Sequence, residues 1–237
     1  MEKGQLLYEG KAKRLYATED INILFVAYKD SATAFNGEKK AEIDGKGLLN
    51  NRITSLIFGK LEEAGIASHF VKQISDTEQL VRKVDIIPIE VVVRNIAAGS
   101  LAKRLGFEEG TPLKRPIVEF YYKDDNLGDP MITTEHIDML GIATEDEVQQ
   151  LYTKALQVNA VLKPMFAEVG VELIDFKLEF GRTSDGEVLL ADEISPDTCR
   201  LWDAQTKRKL DKDVFRRDLG SITEVYEIIL EKLGGTQ

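Results

Sequence analysis

Residues 171–203, VELIDFKLEFGRTSDGEVLLADEISPDTCRLWD, restrict the fold more than any other stretch of the chain. A run rich in apolar and aromatic residues, Val171 to Phe180, meets a turn cluster, Gly181-Arg182-Thr183-Ser184-Asp185-Gly186, and a second apolar run follows from Val188 to Ile194. This is the pattern of a β-hairpin. Side chains alternate faces along a strand, so Asp175, Lys177 and Glu179 are expected on one face and Ile174, Phe176, Leu178 and Phe180 on the other. Asp192, on the return strand, falls roughly across from Glu179 if the loop is about four residues long.

Two carboxylates facing each other across a hairpin repel by about a few tenths of a kcal/mol or more. A cation between them removes that cost, and hard oxygen ligands favour Mg2+, which usually arrives carrying nucleotide phosphates. One reading is that Glu179 and Asp192 hold Mg-ATP while Lys177 meets a phosphate. The other is a solvent-facing strand that simply alternates apolar and charged residues. The tail SPDTCRLWD gathers Asp197, Arg200, Trp202 and Asp203 in a loop with Pro196, and a polar loop at the end of a rigid hairpin is where sites are commonly built.

At 237 residues the chain is one large domain or two small lobes. Its 43% hydrophobic and 30% charged residues are those of an ordinary globular protein. A net charge of −10 argues against nucleic acid as the main partner. The one cysteine, Cys199, excludes an intramolecular disulfide and fits a reducing compartment; it has no evident histidine partner nearby to make it a nucleophile. The start MEKGQLLYEG lacks an apolar targeting core, and no stretch is apolar for long enough to span a membrane. A cytoplasmic location is expected.

In chain order, Leu6 to Tyr8, Arg14 to Ala17 and Ile23 to Tyr28 read as short strands with turn residues between them. In the joint YEGKAKRLY, Gly10 precedes Lys11 and Lys13, which share a face if the strand continues. The P-loop signature is absent. A glycine followed by two ammonium groups suits a nucleotide lid, and equally an exposed turn. Residues 31–46, SATAFNGEKKAEIDGK, are polar and turn-rich and read as a loop, the candidate lid. Gly47 to Gly65 has helical apolar spacing, Ser68 to Ile74 is a strand candidate, and His69 within it reads as a surface or packing residue rather than a ligand. Leu80 to Ile86 is expected to bridge two lobes.

Residues 86–106, IIPIEVVVRNIAAGSLAKRLG, contain a strong strand, Ile89 to Val93, ending at Arg94, and a short helix from about Leu101 to Leu105 closed by Gly106. Ser100 at a helix start, with Arg94 at the strand end, suits an anion; capping by Ser100 and a structural ion pair of Arg94 suit the residues as well. Glu108 to Pro116 reads as loop, Ile117 to Tyr122 as strand and Lys123 to Pro130 as an acidic turn, in which Lys123 and Asp129 serve either a site or solvent. His136 falls in a loop. Thr144 to Val169 is an amphipathic helix with a Thr144–Glu147 capping box and Pro164 inside it, burying Val148, Leu151, Tyr152, Ala155, Leu162, Met165, Phe166 and Val169. Asp213 to Leu233 reads as one further helix with Leu219 among its inward residues.

Two segments taken together are specific. IIPIEVVVRNIAAGS (86–100) and LIDFKLEFG (173–181) closely resemble the two signature motifs of the SAICAR synthetase (phosphoribosylaminoimidazole-succinocarboxamide synthase) family of purine biosynthesis, and YEGKAKRLY, KDDNLGDP and DEISPDTCRLWD resemble it too. The resemblance implies an α+β fold of two lobes, an antiparallel N-terminal sheet lobe (1–82) that acts as nucleotide lid and an ATP-grasp-like C-terminal catalytic lobe (83–237), with ATP between them. It implies an ATP-dependent ligase that joins L-aspartate to the carboxylate of carboxyaminoimidazole ribonucleotide through an acyl phosphate. By motif, Lys11, Lys13 and Lys123 would contact ATP, with adenine against backbone in the 81–86 connection, Val81 and Arg82 among it. Glu179 and Asp192 would bind Mg2+. Arg94, Ser100, Arg200 and Asp197 would hold the ribonucleotide, and Asp175 and Lys177 would lie at the reacting centre. Asn36 stands where some members carry an acid. The resemblance also implies a homodimer. The rival readings are another ATP-dependent ligase or small-molecule kinase on the same scaffold, and a non-catalytic nucleotide-binding module.

Overall fold

The computed structural model describes residues 2–34 and 37–235; the expectation placed on Asn36 lies outside the described residues. The β-prone runs at the start form β1 (Leu6–Glu9), β2 (Lys13–Ala17) and β3 (Ile23–Tyr28). They join β6 (Phe70–Gln73) and β7 (Glu78–Arg82) in a five-stranded antiparallel sheet of order β1-β2-β3-β7-β6. Between β3 and β6 the expected loop is instead a hairpin of β4 (Ser31–Ala34) and β5 (Lys39–Glu42). Its strand signal is weak in sequence because the alternation is carried by small residues: Ala32 and Ala34 are buried between the hydroxyls of Ser31 and Thr33. The helix α1 (Lys46–Glu63) follows and is closed by Gly65 at φ 80°, the left-handed conformation that glycine adopts without steric cost.

A second sheet holds β8 (Asp85–Ile86), β9 (Ile89–Ile96), β10 (Pro112–Tyr122), β11 (Met131–Ile132), β12 (Val171–Arg182), β13 (Val188–Ala191) and β14 (Cys199–Asp203). Its order is β11-β10-β9-β12-β13, with β14 and β8 also on β12, and its ladders are antiparallel. The helices are α2 (Gly99–Leu105), α3 (Thr134–Leu140), α4 (Glu145–Glu168), α5 (Asp213–Arg216) and α6 (Ile222–Lys232). Among the described residues no helix is long and apolar enough to cross a membrane.

Several boundaries differ from expectation for identifiable reasons. β9 runs past Arg94 to Ile96, and β10 begins at Pro112 across an irregular register between Pro112 and Ile117. His136 is in α3, where its ring accepts the Thr133 N–H, rather than in a loop. Tyr152 is 41% exposed, and Val158 takes its place on the buried face of α4. The single helix expected after Asp213 is broken into α5 and α6 by Asp218 at φ 54° and Gly220 at φ 148°, leaving Leu219 exposed.

β12 pairs with four strands, β8, β9, β13 and β14, and it changes phase along its length. A register shift against β14 between Leu173 and Asp175 turns the alternation over. Val171, Leu173, Phe176, Leu178 and Phe180 therefore enter the main core, whereas Ile174 packs with Ala98 and Trp202 in a separate cluster. The main core joins this strand to α4 and α6 and also to Leu49, Ile53, Ile57, Phe58 and Leu61 of α1. The first sheet has a much smaller core of its own, built on Val26, Tyr28 and Val81.

Candidate active site

A cavity of about 370 Å3 opens between the two sheets. Lys11, Ala12, Thr33 and Ala34 wall it from the first sheet and the β4–β5 hairpin. Opposite stand Glu90, Val92 and Arg94 of β9 and Asp175 and Lys177 of β12, and the segment from Asp192 to Arg200 with Lys212 and Arg216 completes it. Alternation places Glu90, Val92 and Arg94 on one face of β9, and the phase change in β12 puts Asp175, Lys177 and Glu179 beside them.

Arg94 is the most enclosed cation in this wall. Its Nε donates to Glu119 at 2.7 Å, Nη1 to Asp175 at 2.9 Å and Nη2 to Ser100 at 3.0 Å and to the Tyr121 hydroxyl at 3.1 Å. Ser100 is thus in the first turn of α2 and not its cap; Ala98 holds that position. Arg200 donates through Nη1 to both oxygens of Asp175 and through Nε to Asp213. Gly99, at φ 53°, makes room for it: a Cβ there would fall 2.5 Å from the Arg200 guanidinium. Burial opposes charge on both arginines, yet Asp175 together with Glu119 at Arg94, and Asp175 together with Asp213 and Asp211 at Arg200, outweigh it and hold each above the usual range.

The two hairpin carboxylates are not strictly opposite, since Glu179 pairs with Ala191 and Asp192 follows the end of β13, but both act electrostatically on Lys177 and Lys123. The reading of β12 as a solvent-facing strand does not hold, because Asp175 and Glu179 are buried at 3% and 4% exposure. Glu179 accepts from Lys123 at 2.8 Å and Lys177 at 2.5 Å, and Lys177 also donates to Glu90 at 2.9 Å. Asp192 accepts from Lys13, which also lies 3.0 Å from Glu193. Burial resists the charge of Lys13 and Lys177, but Asp192 and Glu193 around the first and Glu179 and Glu90 around the second hold both ammonium groups well above their ordinary range. Lys11 and Lys13 do not act as one pair: Lys11 reaches Asp125 at 2.6 Å across the cleft mouth, while Lys13 is drawn inward.

Asp197 lines the cavity but its carboxylate is taken up from behind, by Lys46 at 2.6 Å and by the Tyr226 hydroxyl. In the connection where adenine was placed, Val81 is buried inside β7 between β3 and β6. The N–H groups of Arg82 and Lys83 already serve His69 O and Asn22 O. Burial pushes the Cys199 thiol far up, away from the thiolate form that a nucleophile needs.

Sequence reasoning missed Glu90, Glu193, Glu119, Lys46, Lys212 and Arg216. Glu90 was legible, two and four residues before Val92 and Arg94 on the same face. Lys46, Lys212 and Arg216 come from elements far apart in the chain and leave no local signal.

A small antiparallel sheet closed over a larger α+β layer, with lysines from one side set against carboxylates and arginines of the other, is the build of an ATP-dependent ligase. The chain belongs to the SAICAR synthetase family, whose model matches residues 6–233. It is 79% identical over 235 residues to the phosphoribosylaminoimidazole-succinocarboxamide synthase of Lysinibacillus sphaericus (strain C3-41), covering 99% of this chain and 100% of that one. Its structure is similar to the crystal structure of the same synthase from Ehrlichia chaffeensis, with a TM-score of 0.95 and 46% identity over 98% of this chain and 100% of the other. It is also similar to a SAICAR synthetase solved in complex with ADP, with a TM-score of 0.94 and 51% identity over 97% and 98% of the two chains.

Proposed function

We propose that this chain joins L-aspartate to the carboxylate of carboxyaminoimidazole ribonucleotide at the expense of ATP, in the cytoplasm and as a homodimer, with the lobes divided near residues 82 and 83. One observation carries the reading. Lys13 of the first sheet meets Asp192 of the second beside the Arg94–Asp175–Arg200 cluster that lines the cavity, a grouping of charges that supports a triphosphate next to a second anion.

A carboxylate is a poor electrophile, so one of its oxygens must first become a leaving group. Transfer of the γ-phosphoryl from ATP to that oxygen gives ADP and an acyl phosphate. The transfer needs in-line positioning and charge neutralisation, which Lys13, Lys177 and Lys123 are placed to provide, with Lys11 at the mouth. The amine of aspartate then attacks the acyl carbon, phosphate leaves, and a base takes the proton. Asp175 suits that base on one condition. Its oxygens accept from Arg94 and Arg200 in the free protein, and a ribonucleotide phosphate that draws both guanidinium groups away would release it. Ser100 would add a hydroxyl to that phosphate.

The donor set at Glu179 and Asp192, hard oxygens now neutralised by ammonium groups, fits Mg2+. Among the described residues no three His, Cys, Asp or Glu side chains converge on one point, so the two carboxylates would be the protein's share, with water and phosphates completing the shell. Bound there, Mg2+ would neutralise phosphate charge during transfer. Water must be excluded from the acyl phosphate, and the β4–β5 hairpin is the proposed lid. Asp197, braced by Lys46, would line the ribonucleotide side.

A coupled ADP-release assay with each substrate left out in turn tests the reading. Full turnover should require ATP, the ribonucleotide and aspartate together. Turnover without aspartate would favour a kinase, and nucleotide binding without turnover a binding module.

A further inference from the structure

His69 is buried where the two sheets meet, and no step above uses it. Its backbone N–H donates to Leu190 O at 2.8 Å, and its carbonyl accepts the Arg82 N–H at 2.6 Å. Ser68, just before it, forms a parallel bridge with Leu190. Its ring stands edge-on to Phe58 at 5.7 Å. One ring nitrogen, Nε2, lies 3.1 Å from Asp192 O. A carbonyl oxygen only accepts, so Nε2 carries the hydrogen in this contact.

Asp192 is also strained. It has φ 59°, a left-handed conformation that costs a non-glycine residue free energy and persists where surrounding contacts over-determine it. The turn there decides where the carboxylate points, because relaxation to an ordinary β conformation would swing it away from Lys13. Such outliers concentrate at functional sites.

We propose that His69 is a positioning residue: its Nε2–H holds the Asp192 carbonyl and with it the left-handed turn that aims the Asp192 carboxylate at the nucleotide's cation. The proposal rests on the reading of Asp192 as part of a Mg-ATP site. It gives the contact between the first sheet and β13 a role in nucleotide affinity.

The test uses calorimetric titration of the full chain with Mg·ADP, with ADP in excess chelator, and with the ribonucleotide. His69→Phe keeps a ring against Phe58 and removes the donor. It should weaken Mg·ADP about tenfold, the worth of one hydrogen bond together with the released turn. ADP without Mg2+ and the ribonucleotide should stay within about twofold of the parent, well below that tenfold step. Unchanged Mg·ADP affinity, or equal loss for all three ligands, would overturn the proposal. His69→Gln carries an amide N–H over a similar reach and should bind Mg·ADP within about threefold of the parent, since the hydrogen bond is kept. Should His69→Phe fail to fold, a tenfold loss in His69→Gln would overturn the proposal instead. Asp192→Asn separates the two levels: if it binds Mg·ADP like the parent, the metal reading itself fails, and if it loses affinity while His69→Phe does not, only the present proposal fails.

Discussion

Arg94 Nη1 lies 2.9 Å from Asp175 Oδ2, and the two side chains are only 3% and 5% exposed. Arg200 shares the same carboxylate from the other side. Removing one partner of a sealed pair leaves an uncompensated buried charge, a loss on the order of 3–5 kcal/mol. Asp175→Asn is therefore expected to lower stability as well as activity. Its signature for a proton acceptor is a slower amide-forming step at saturating ribonucleotide. Single-turnover rates equal to those of the parent would leave Asp175 with the bracing role alone.

Arg94→Ala should raise the KM for the ribonucleotide by about ten- to a hundredfold, since charge-assisted hydrogen bonds contribute about 1.5–3 kcal/mol. The KM for ATP should change far less. Steady-state kinetics with each substrate varied would decide, and equal effects on both would remove Arg94 from the ribonucleotide subsite.

Glu179→Gln and Asp192→Asn should each cripple use of Mg-ATP and shift the Mg2+ dependence of ADP release to higher concentration. Turnover that is unchanged at low Mg2+ would rule out ligation by that residue.

The β4–β5 hairpin is pinned over the cavity by Lys39, which donates to Phe215 O and to Asp218, each at 2.6 Å. Lys39→Ala should loosen it and let water reach the acyl phosphate. Phosphate release should then exceed amide formation, most visibly at low aspartate. A ratio of phosphate to amide that stays at unity would end the lid reading.

Asp211 is fully buried and accepts the N–H groups of Leu201 at 2.8 Å and Asp213 at 2.7 Å. Burial first, and the neighbouring Asp213 second, push its carboxyl up to about 7. The unfolded chain would release that proton near pH 3.9, so between about pH 4 and 7 the folded state binds more protons and stability falls as pH rises. Asp211→Asn should remove that component. Urea midpoints at about pH 4.5 and about pH 7.5 should differ less in the variant than in the parent, and an equal difference would contradict the prediction.

Much of this was legible in the chain. Alternation alone placed Asp175, Lys177 and Glu179 on one face, and the Thr144–Glu147 capping box marks the start of α4. What alternation cannot carry is a change of phase, so Ile174 was grouped with Phe176 although the shift at Leu173 sends it to Trp202. The β4–β5 hairpin escaped because alanines and hydroxyls alternate too weakly to announce a strand. The break between α5 and α6 escaped because the apolar spacing continues across it, and only the backbone at Asp218 and Gly220 interrupts the helix. Partners such as Lys46 on Asp197 depend on tertiary contact and have no local trace.

The placement of α1 has a consequence for how the molecule can move. The helix arises from the part of the chain that builds the smaller sheet, yet Ile53, Ile57, Phe58 and Leu61 are sunk in the core of the larger one. A wider cleft would then not be the swing of an independent door. It would need flexing at the ends of an anchored beam, around residues 43–46 and 64–69, and where β7 passes into β8, with the second joint carrying the histidine that touches Asp192.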